Sequence, residues 1–380
     1  MPTRDRSGGS SRFPTVSGVP WLVVDQVPGP EVQGRRPNIH RLGPTLLREA
    51  RLLRRSVRRP QLLGDEARRL VSPRVAFLET NSDPGRSLLL VGSGRSGTTW
   101  VSEIFVDALH CRLVYEPLRT RSVPWTWPVR PGHYLDPDDD SDPALAAVID
   151  RILTGRVRTA FTDKYNAVRF PGYRLVKEVR ATNLLPWIVR RYPRTPVVLL
   201  LRHPVPTAWS VVQLGWPGKL DDFLGQDRLM DGPLAPFRPL VAEAAASPDP
   251  FHRMVLQWCL ENFVPTRLLG SDEAHVVFYE NMVDDPGGEL ERLRLYLGRF
   301  PSAPWDVRMA SVTALQRPSH SKKRGTDVTS GPRRLDDWVD QIAPDRVEAA
   351  LALVAGFGLD RLYHRSSRPL LSPDEVLSGP

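Results

Sequence analysis

Between Gly92 and Trp100 the chain sets three glycines, Gly92, Gly94 and Gly97, around the guanidinium of Arg95 and the hydroxyls of Ser96, Thr98 and Thr99. An apolar run, Leu88 to Val91, precedes them, and a helical pattern opens near Thr98. A strand that feeds a glycine turn and then a helix aims backbone N–H groups and the positive end of a helix dipole at one point. The chemistry such a point suits above all is the holding of a phosphate. A second candidate point follows the run Val197-Val-Leu-Leu-Leu, which delivers Arg202 at its end, then His203, Pro204 and Ser210. Ligands of open α/β sheets bind beyond the carboxyl ends of strands. Pro204 suits the first turn of a helix, which places Ser210 on that helix. A third strand ends in Tyr115-Glu116-Pro117, presenting a carboxylate, and a fourth carries Lys177.

The elements that must position these groups alternate. Strand patterns fall at 88–91, 112–115, 174–177, 197–201 and 275–279, and helical patterns at 98–109, 183–192, 205–212, 252–269, 288–297 and 344–355. Strands alternating with helices imply βαβ units and a parallel sheet covered on both faces. The stretches 125–142 and 214–250 read as long loops or short helices over the sheet, where lids and binding walls are found. Trp125 and Trp127 in the first of them suit stacking on a substrate or packing within the lid. At 380 residues, 41% hydrophobic, the chain is long enough for a sizeable core. Its net charge of +9 fits an anionic ligand, an anionic membrane or nucleic acid without choosing among them. Two cysteines, Cys111 and Cys259, are too few for a disulfide framework, so a reducing cytoplasm is expected. No apolar run is long enough to span a bilayer, and residues 19–24 are too short for the core of a signal peptide.

Three readings of the glycine turn compete. Gly92, Gly94 and Gly97 spell G-x-G-x-x-G between strand and helix, the dinucleotide fingerprint of an NAD(P)-dependent oxidoreductase, with Glu116 where a ribose-binding acid would stand. Arg95 and the Thr98–Thr99 pair crowd a turn that a pyrophosphate needs small. A P-loop nucleotide triphosphatase needs lysine where Thr98 stands and an acid where strand 197–201 runs into Arg202. The third reading is a resemblance: Arg95-Ser-Gly-Thr-Thr-Trp100 resembles the loop of bacterial-type sulfotransferases that use 3′-phosphoadenosine 5′-phosphosulfate (PAPS). The resemblance implies that Arg95, Ser96, Gly97, Thr98 and Thr99 cradle the 5′-phosphosulfate and that Trp100 stacks on adenine. Strand-Arg202-x-Pro204 with Ser210 is similar to the family's 3′-phosphate site. Tyr279-Glu280 followed by Tyr296-Leu-Gly298 resembles a later family landmark, which implies that Tyr279 approaches the nucleotide and that Glu280 is structural. The cluster Lys322, Lys323, Arg324, Gly325 resembles the basic loop that closes over the 3′-phosphate, with Lys323, Arg324 and Gly325 as its binding residues. The likeness runs over roughly 87–363.

It departs at the base. Members acting on phenols and steroids carry Lys-Thr-His, whereas the comparable segment here is Lys177-Glu178-Val179-Arg180. Tyr115-Glu116-Pro117-Leu118 instead looks like the Tyr-Glu-Pro setting of the carbohydrate-acting branch. Sulfuryl transfer is an in-line displacement through a loose transition state, and the acceptor hydroxyl becomes strongly acidic only as its new bond forms. A carboxylate in reach then takes the proton, and a cation steadies the departing phosphate. The expected catalytic set is therefore Glu116 as base, Arg95 as leaving-group cation and Lys177 as a second cation, with His110 and His133 as alternative bases. His203 is expected to order its turn. No metal is expected, because the developing charge is smaller than in triphosphate hydrolysis.

The expectation is an α/β, P-loop-like, three-layer fold with a mainly parallel central sheet and helices on both faces, plus a basic N-terminal extension. Its divisions are a disordered 1–40, a basic helical segment at 41–85, a sulfotransferase domain at 86–365 and a tail at 366–380. PAPS would be the co-substrate and a small molecule or glycan the acceptor, with no nucleic-acid partner. Within 44–70, Leu46, Ala50, Leu53 and Val57 recur at helical spacing between arginines. Such a helix packs on the main domain or lies on the anionic inner face of a membrane.

Overall fold

The computed structural model describes residues 77–126, 129–300, 305–311, 314–315 and 335–378. Five strands form one sheet, and all four pairings are parallel: β1 (Ser87–Gly92), β2 (Arg112–Tyr115), β3 (Arg174–Glu178), β4 (Val197–Leu201) and β5 (His275–Phe278), in the order β2-β3-β1-β4-β5. Every residue of the five strands is buried, which suits the near-continuous apolar runs of a parallel sheet covered twice. The two-residue period of a strand divides them between the faces. Leu88 and Leu90 join a core with Val101, Ile104 and Phe105 of α1 (Thr98–Leu109). Leu89 and Val91 join another with helices α2 (Pro143–Leu153), α3 (Leu185–Arg191) and α4 (Pro204–Gln213). The three-layer α/β expectation holds.

The stretch 214–250 carries three helices, α5 (Leu220–Leu224), α6 (Asp227–Asp231) and α7 (Arg238–Ala246). The long α8 (Pro250–Leu268) follows; then come α9 (Tyr279–Asp284), α10 (Pro286–Leu297) and α11 (Pro344–Gly356). Helix α2 was not foreseen, although Asp142 caps it by accepting the Leu145 N–H at 2.8 Å and Pro143 opens it. The domain's edges also differ from the expected ones. Glu79 pairs with Arg112 and Arg174, each at 2.6 Å, so the domain takes in residues before 86. Val376 and Leu377 are buried in the core, so that part of the expected tail packs on the domain. The 1–40 and 44–70 segments lie outside the described residues.

Strand β1 sits between β3, reached through β2, and β4, so the direction of winding reverses on either side of it. Ligands of doubly wound sheets bind at that switch, outside the carboxyl ends of the strands. The glycine turn after β1, Glu116 after β2, Lys177 near the end of β3, Arg202 after β4 and Tyr279 after β5 all stand on this edge.

Candidate active site

The turn after β1 is built on two left-handed residues, Arg95 at φ 72° and Gly97 at φ 92°. Gly97 has a second constraint, since a Cβ there would stand 2.4 Å from the ring of Tyr279. A Cβ on Gly92 would meet the carbonyl of Leu200 at 2.5 Å, whereas one on Gly94 would meet nothing within 4 Å. Two glycines thus let the backbone pack on protein, and the third faces open space, where a ligand's oxygens can approach. Inside the turn, the Ser96 hydroxyl donates to the Ser93 carbonyl at 2.7 Å. The Asn262 amide of α8 donates to the Ser93 hydroxyl at 2.9 Å. Helix α1 begins at Thr98, with Gly97 as its cap, and its first N–H groups have no intrahelical acceptor.

The second anchor meets the first. The Arg95 Nε donates to the Ser210 hydroxyl at 3.0 Å, and Arg202 Nη1 donates to the Arg95 carbonyl at 3.1 Å. The Arg202 guanidinium lies 4.3 Å from the centre of the Tyr279 ring, the same ring that packs on Gly97. Two arginines, a serine and a tyrosine from three separate strand ends therefore converge on one turn. Burial, with the neighbouring charge of Arg202, pulls the Arg95 guanidinium below its ordinary pKa. Cations that crowd one another while partly desolvated favour an anion between them.

Glu116 forms the third part. It too holds a left-handed backbone, φ 42°, an uncommon conformation for a non-glycine residue that concentrates at functional sites. Its N–H donates to the Lys177 carbonyl at 2.8 Å, continuing the register in which Tyr115 faces Lys177. Lys177 Nζ donates to Oε1 at 2.7 Å and Arg180 Nη1 to Oε2 at 3.2 Å. Burial alone would raise the Glu116 pKa, but these two cations outweigh it and hold the carboxyl well below the usual range. Glu178 holds the surroundings, accepting from the N–H of Leu118 at 2.7 Å and from Arg180 at 3.0 Å. The Tyr115 hydroxyl donates to Glu116 and accepts from Thr99, which ties the carboxylate to the first turn of α1.

Residues 87–300, more than half of the chain, match a family model described as Sulfotransferase family. The chain belongs to the sulfotransferase family. Among solved structures it is similar to a sulfotransferase from Alicyclobacillus acidocaldarius, at 17% identity and a TM-score of 0.36, covering 73% of this chain and 96% of that one. The sulfotransferase domain of the Synechococcus PCC 7002 olefin synthase gives 14% and 0.36, covering 73% and 95%. A sulfotransferase domain from the curacin biosynthetic pathway also gives 14% and 0.36, covering 74% and 98%. No curated protein matches the chain.

In this sulfotransferase several expected residues stand differently from their expected roles. Trp100 is 4% exposed and packs edge-on against Tyr279 at 5.6 Å. The Ser96 hydroxyl is spent on the turn itself. Lys177 is spent on Glu116, which also removes the carboxylate that a ribose would need under the dinucleotide reading. His203 caps α4 by accepting the Val205 N–H at 3.2 Å and stacks on Trp338, and burial lowers its pKa to about 4, as fits a turn-ordering residue. Glu280 accepts from the His203 N–H at 3.0 Å and from Tyr363 at 2.9 Å, a buried structural acid. Lys323, Arg324 and Gly325, with Trp127, lie outside the described residues. Sequence reading passed over Arg180, although it closes the very segment compared with Lys-Thr-His. It also passed over Trp216, whose half-exposed ring lies 5.5 Å from the Arg95 guanidinium in an irregular turn that no periodicity marks.

Proposed function

We propose that this sulfotransferase moves a sulfuryl group from PAPS to an acceptor hydroxyl on a carbohydrate, glycosylated metabolite or lipid, releasing 3′-phosphoadenosine 5′-phosphate. The observation that carries the reading is the meeting of the two anchors, Arg95 on Ser210 and Arg202 on the Arg95 carbonyl, at 3.0 and 3.1 Å. A nucleotide with phosphates at both ends of its ribose is the ligand that needs two anion sites within one short span. The open side of Gly94, the N-terminal turn of α1 and the crowded Arg95–Arg202 pair fit such a ligand. When bound, PAPS supplies an electrophilic sulfuryl group on a phosphate leaving group.

The chain's own residues do the rest. Arg95 neutralises charge that develops on the leaving oxygen, and the α1 dipole adds to it. Glu116 accepts the proton of the acceptor hydroxyl. A strongly held carboxylate is a weak base, but a hydroxyl attacking through a loose transition state sheds its proton late, when even a weak base suffices. Lys177 and Arg180 fix that carboxylate in its ionised form and in one orientation, so we read Lys177 as the partner of Glu116 and not as a second leaving-group cation. We read the reaction as needing no metal and no nucleic-acid partner.

Thermal shift separates this reading from a dinucleotide or triphosphate enzyme. At 100 times its dissociation constant, 3′-phosphoadenosine 5′-phosphate stabilises the fold by about 2.7 kcal/mol. NAD and ATP at equal concentration give much smaller shifts. A response to NAD alone overturns the proposal. Two buried, unpaired cysteines support a cytoplasmic setting. Among the described residues no helix is long and apolar enough to cross a membrane. We assign the 44–70 segment to peripheral contact with anionic lipid, so full-length protein floats with vesicles rich in anionic lipid and not with neutral ones. Absence of flotation on both removes the membrane role.

A further inference from the structure

Helix α4 reaches Arg95 twice. Its Ser210 accepts from the Arg95 Nε at 3.0 Å, and the turn that follows the helix carries Trp216, with the Arg95 guanidinium 5.5 Å from the centre of its ring. The two contacts differ in kind. The hydroxyl takes one N–H, whereas an aromatic face attracts the cation as a whole and commits none of its N–H groups to an acceptor. Among the described residues Arg95 has no carboxylate partner, and its bond to Ser210 leaves Nη1 and Nη2 for a ligand.

The Trp216 ring is placed by its neighbours. Its N–H donates to the Val211 carbonyl at 3.3 Å, and three residues on the Lys219 N–H donates to the Gln257 side chain at 2.7 Å. Gln257 in turn donates to Glu261 Oε1 at 2.9 Å, and the Lys219 ammonium lies 3.9 Å from the same oxygen. The next residue of α8, Asn262, donates to the Ser93 hydroxyl at 2.9 Å. One helix therefore grips both the turn that carries Trp216 and the turn that carries Arg95.

A half-exposed tryptophan means little on its own, since apolar side chains are common at surfaces. Trp216 is 52% exposed, and the group it faces is the cation assigned to the leaving oxygen. That cation needs holding, because Arg202 stands close enough to repel it. A carboxylate in the place of the ring would hold it too, but would cancel the charge and compete with a phosphosulfate. A ring face holds the guanidinium and leaves its charge uncompensated.

We propose that Trp216 is a positioning residue of the nucleotide site, whose ring face holds the Arg95 guanidinium in place for the 5′-phosphosulfate without neutralising it. The role rests on the sulfotransferase reading above and adds a residue to its donor side.

The test is a double-mutant cycle on the full chain, read by isothermal titration with 3′-phosphoadenosine 5′-phosphate, whose 5′-phosphate meets Arg95. Trp216→Leu weakens binding about fivefold, the scale of a cation–π contact, and Trp216→Phe falls between, because its ring is the poorer partner for a cation. In an Arg95→Gln background Trp216→Leu has no further effect. Thermal unfolding of the nucleotide-free proteins is the control, and Trp216→Leu stays within about 2 °C of the wild type. Wild-type affinity in Trp216→Leu overturns the role. So does an undiminished loss in the Arg95→Gln background, which places the ring on the ligand itself. A lowered unfolding midpoint together with equal losses in Trp216→Leu and Trp216→Phe marks a merely structural ring and overturns it as well. If the wild type fails to bind the nucleotide, or Arg95→Gln binds it as tightly as the wild type, the reading of the site falls and takes Trp216 with it. If the nucleotide binds and Arg95→Gln weakens it while Trp216→Leu does not, the role of Trp216 alone falls.

Discussion

Glu116→Gln lowers kcat by about 10²–10⁴-fold, the usual contribution of a positioned general base, while the dissociation constant for 3′-phosphoadenosine 5′-phosphate changes little. The separation follows from the site's layout. Glu116 stands beyond β2 with Lys177 and Arg180, whereas the nucleotide anchors Arg95, Arg202 and Ser210 gather on the turn after β1 and the start of α4. Glutamine keeps the size and one acceptor but leaves the buried Lys177 ammonium without its countercharge, which costs about 3–5 kcal/mol, while Arg180 keeps Glu178. Stability therefore needs measuring beside rate. A carboxylate held below its ordinary range stabilises the fold above its unfolded pKa of about 4.3 and loses that contribution only as acid approaches the lower folded value. The stability gap between wild type and variant is accordingly constant near neutrality and narrows in acid below about pH 4. Glu116 stays ionised through the neutral range, so it places no acid limb on the activity profile there. Turnover by Glu116→Gln within about twofold of wild type sinks the assignment of the base.

Arg202→Ala weakens binding of 3′-phosphoadenosine 5′-phosphate by about 10–100-fold, as expected for removing a charge-assisted contact to a phosphate. The same change frees the Arg95 carbonyl and strips the cation from the face of Tyr279, so the turn after β1 also loses a brace. Arg202→Lys restores charge without the planar fork and recovers binding only in part. Isothermal titration with 3′-phosphoadenosine 5′-phosphate and with adenosine 5′-phosphate separates the two roles. A loss specific to the 3′-phosphate shows as a fall in affinity for the first and not the second. An equal fall for both assigns Arg202 to the turn instead, and an unchanged affinity for both removes it from the nucleotide site.

Much of this arrangement is legible in one dimension because its determinants are local. The strand patterns at 88–91, 112–115, 174–177, 197–201 and 275–279 mark the strands within a residue or so of their observed bounds. Helix α1 falls where its pattern places it, because a positive-φ glycine and a threonine start it and a run of apolar residues continues it. Pro204 opens α4 for the same kind of reason, its fixed φ matching the first helical turn. Helix α2 escaped since Asp142 and Pro143 at its start continue the composition of the loop before it, although the capping aspartate and the proline after it were both signals.

Side-chain roles were less legible, because they depend on what another segment brings. Trp100 reads as a stacking ring in its motif, and the fold sets it edge-on against Tyr279. Lys177 reads as a free cation at a strand end, yet the parallel register sets it opposite Tyr115 and hands its charge to Glu116. Arg180 belongs to no motif and acquires its meaning only from Glu116, a neighbour far along the chain. The amino-acid order by itself determined the strands, the helix starts and the anion-holding turn, since propensity, periodicity and glycine conformation act over a few residues. Which charges face one another was decided only by the tertiary structure, because Coulomb pairing and burial depend on distances that the sheet order and the packing of loops establish.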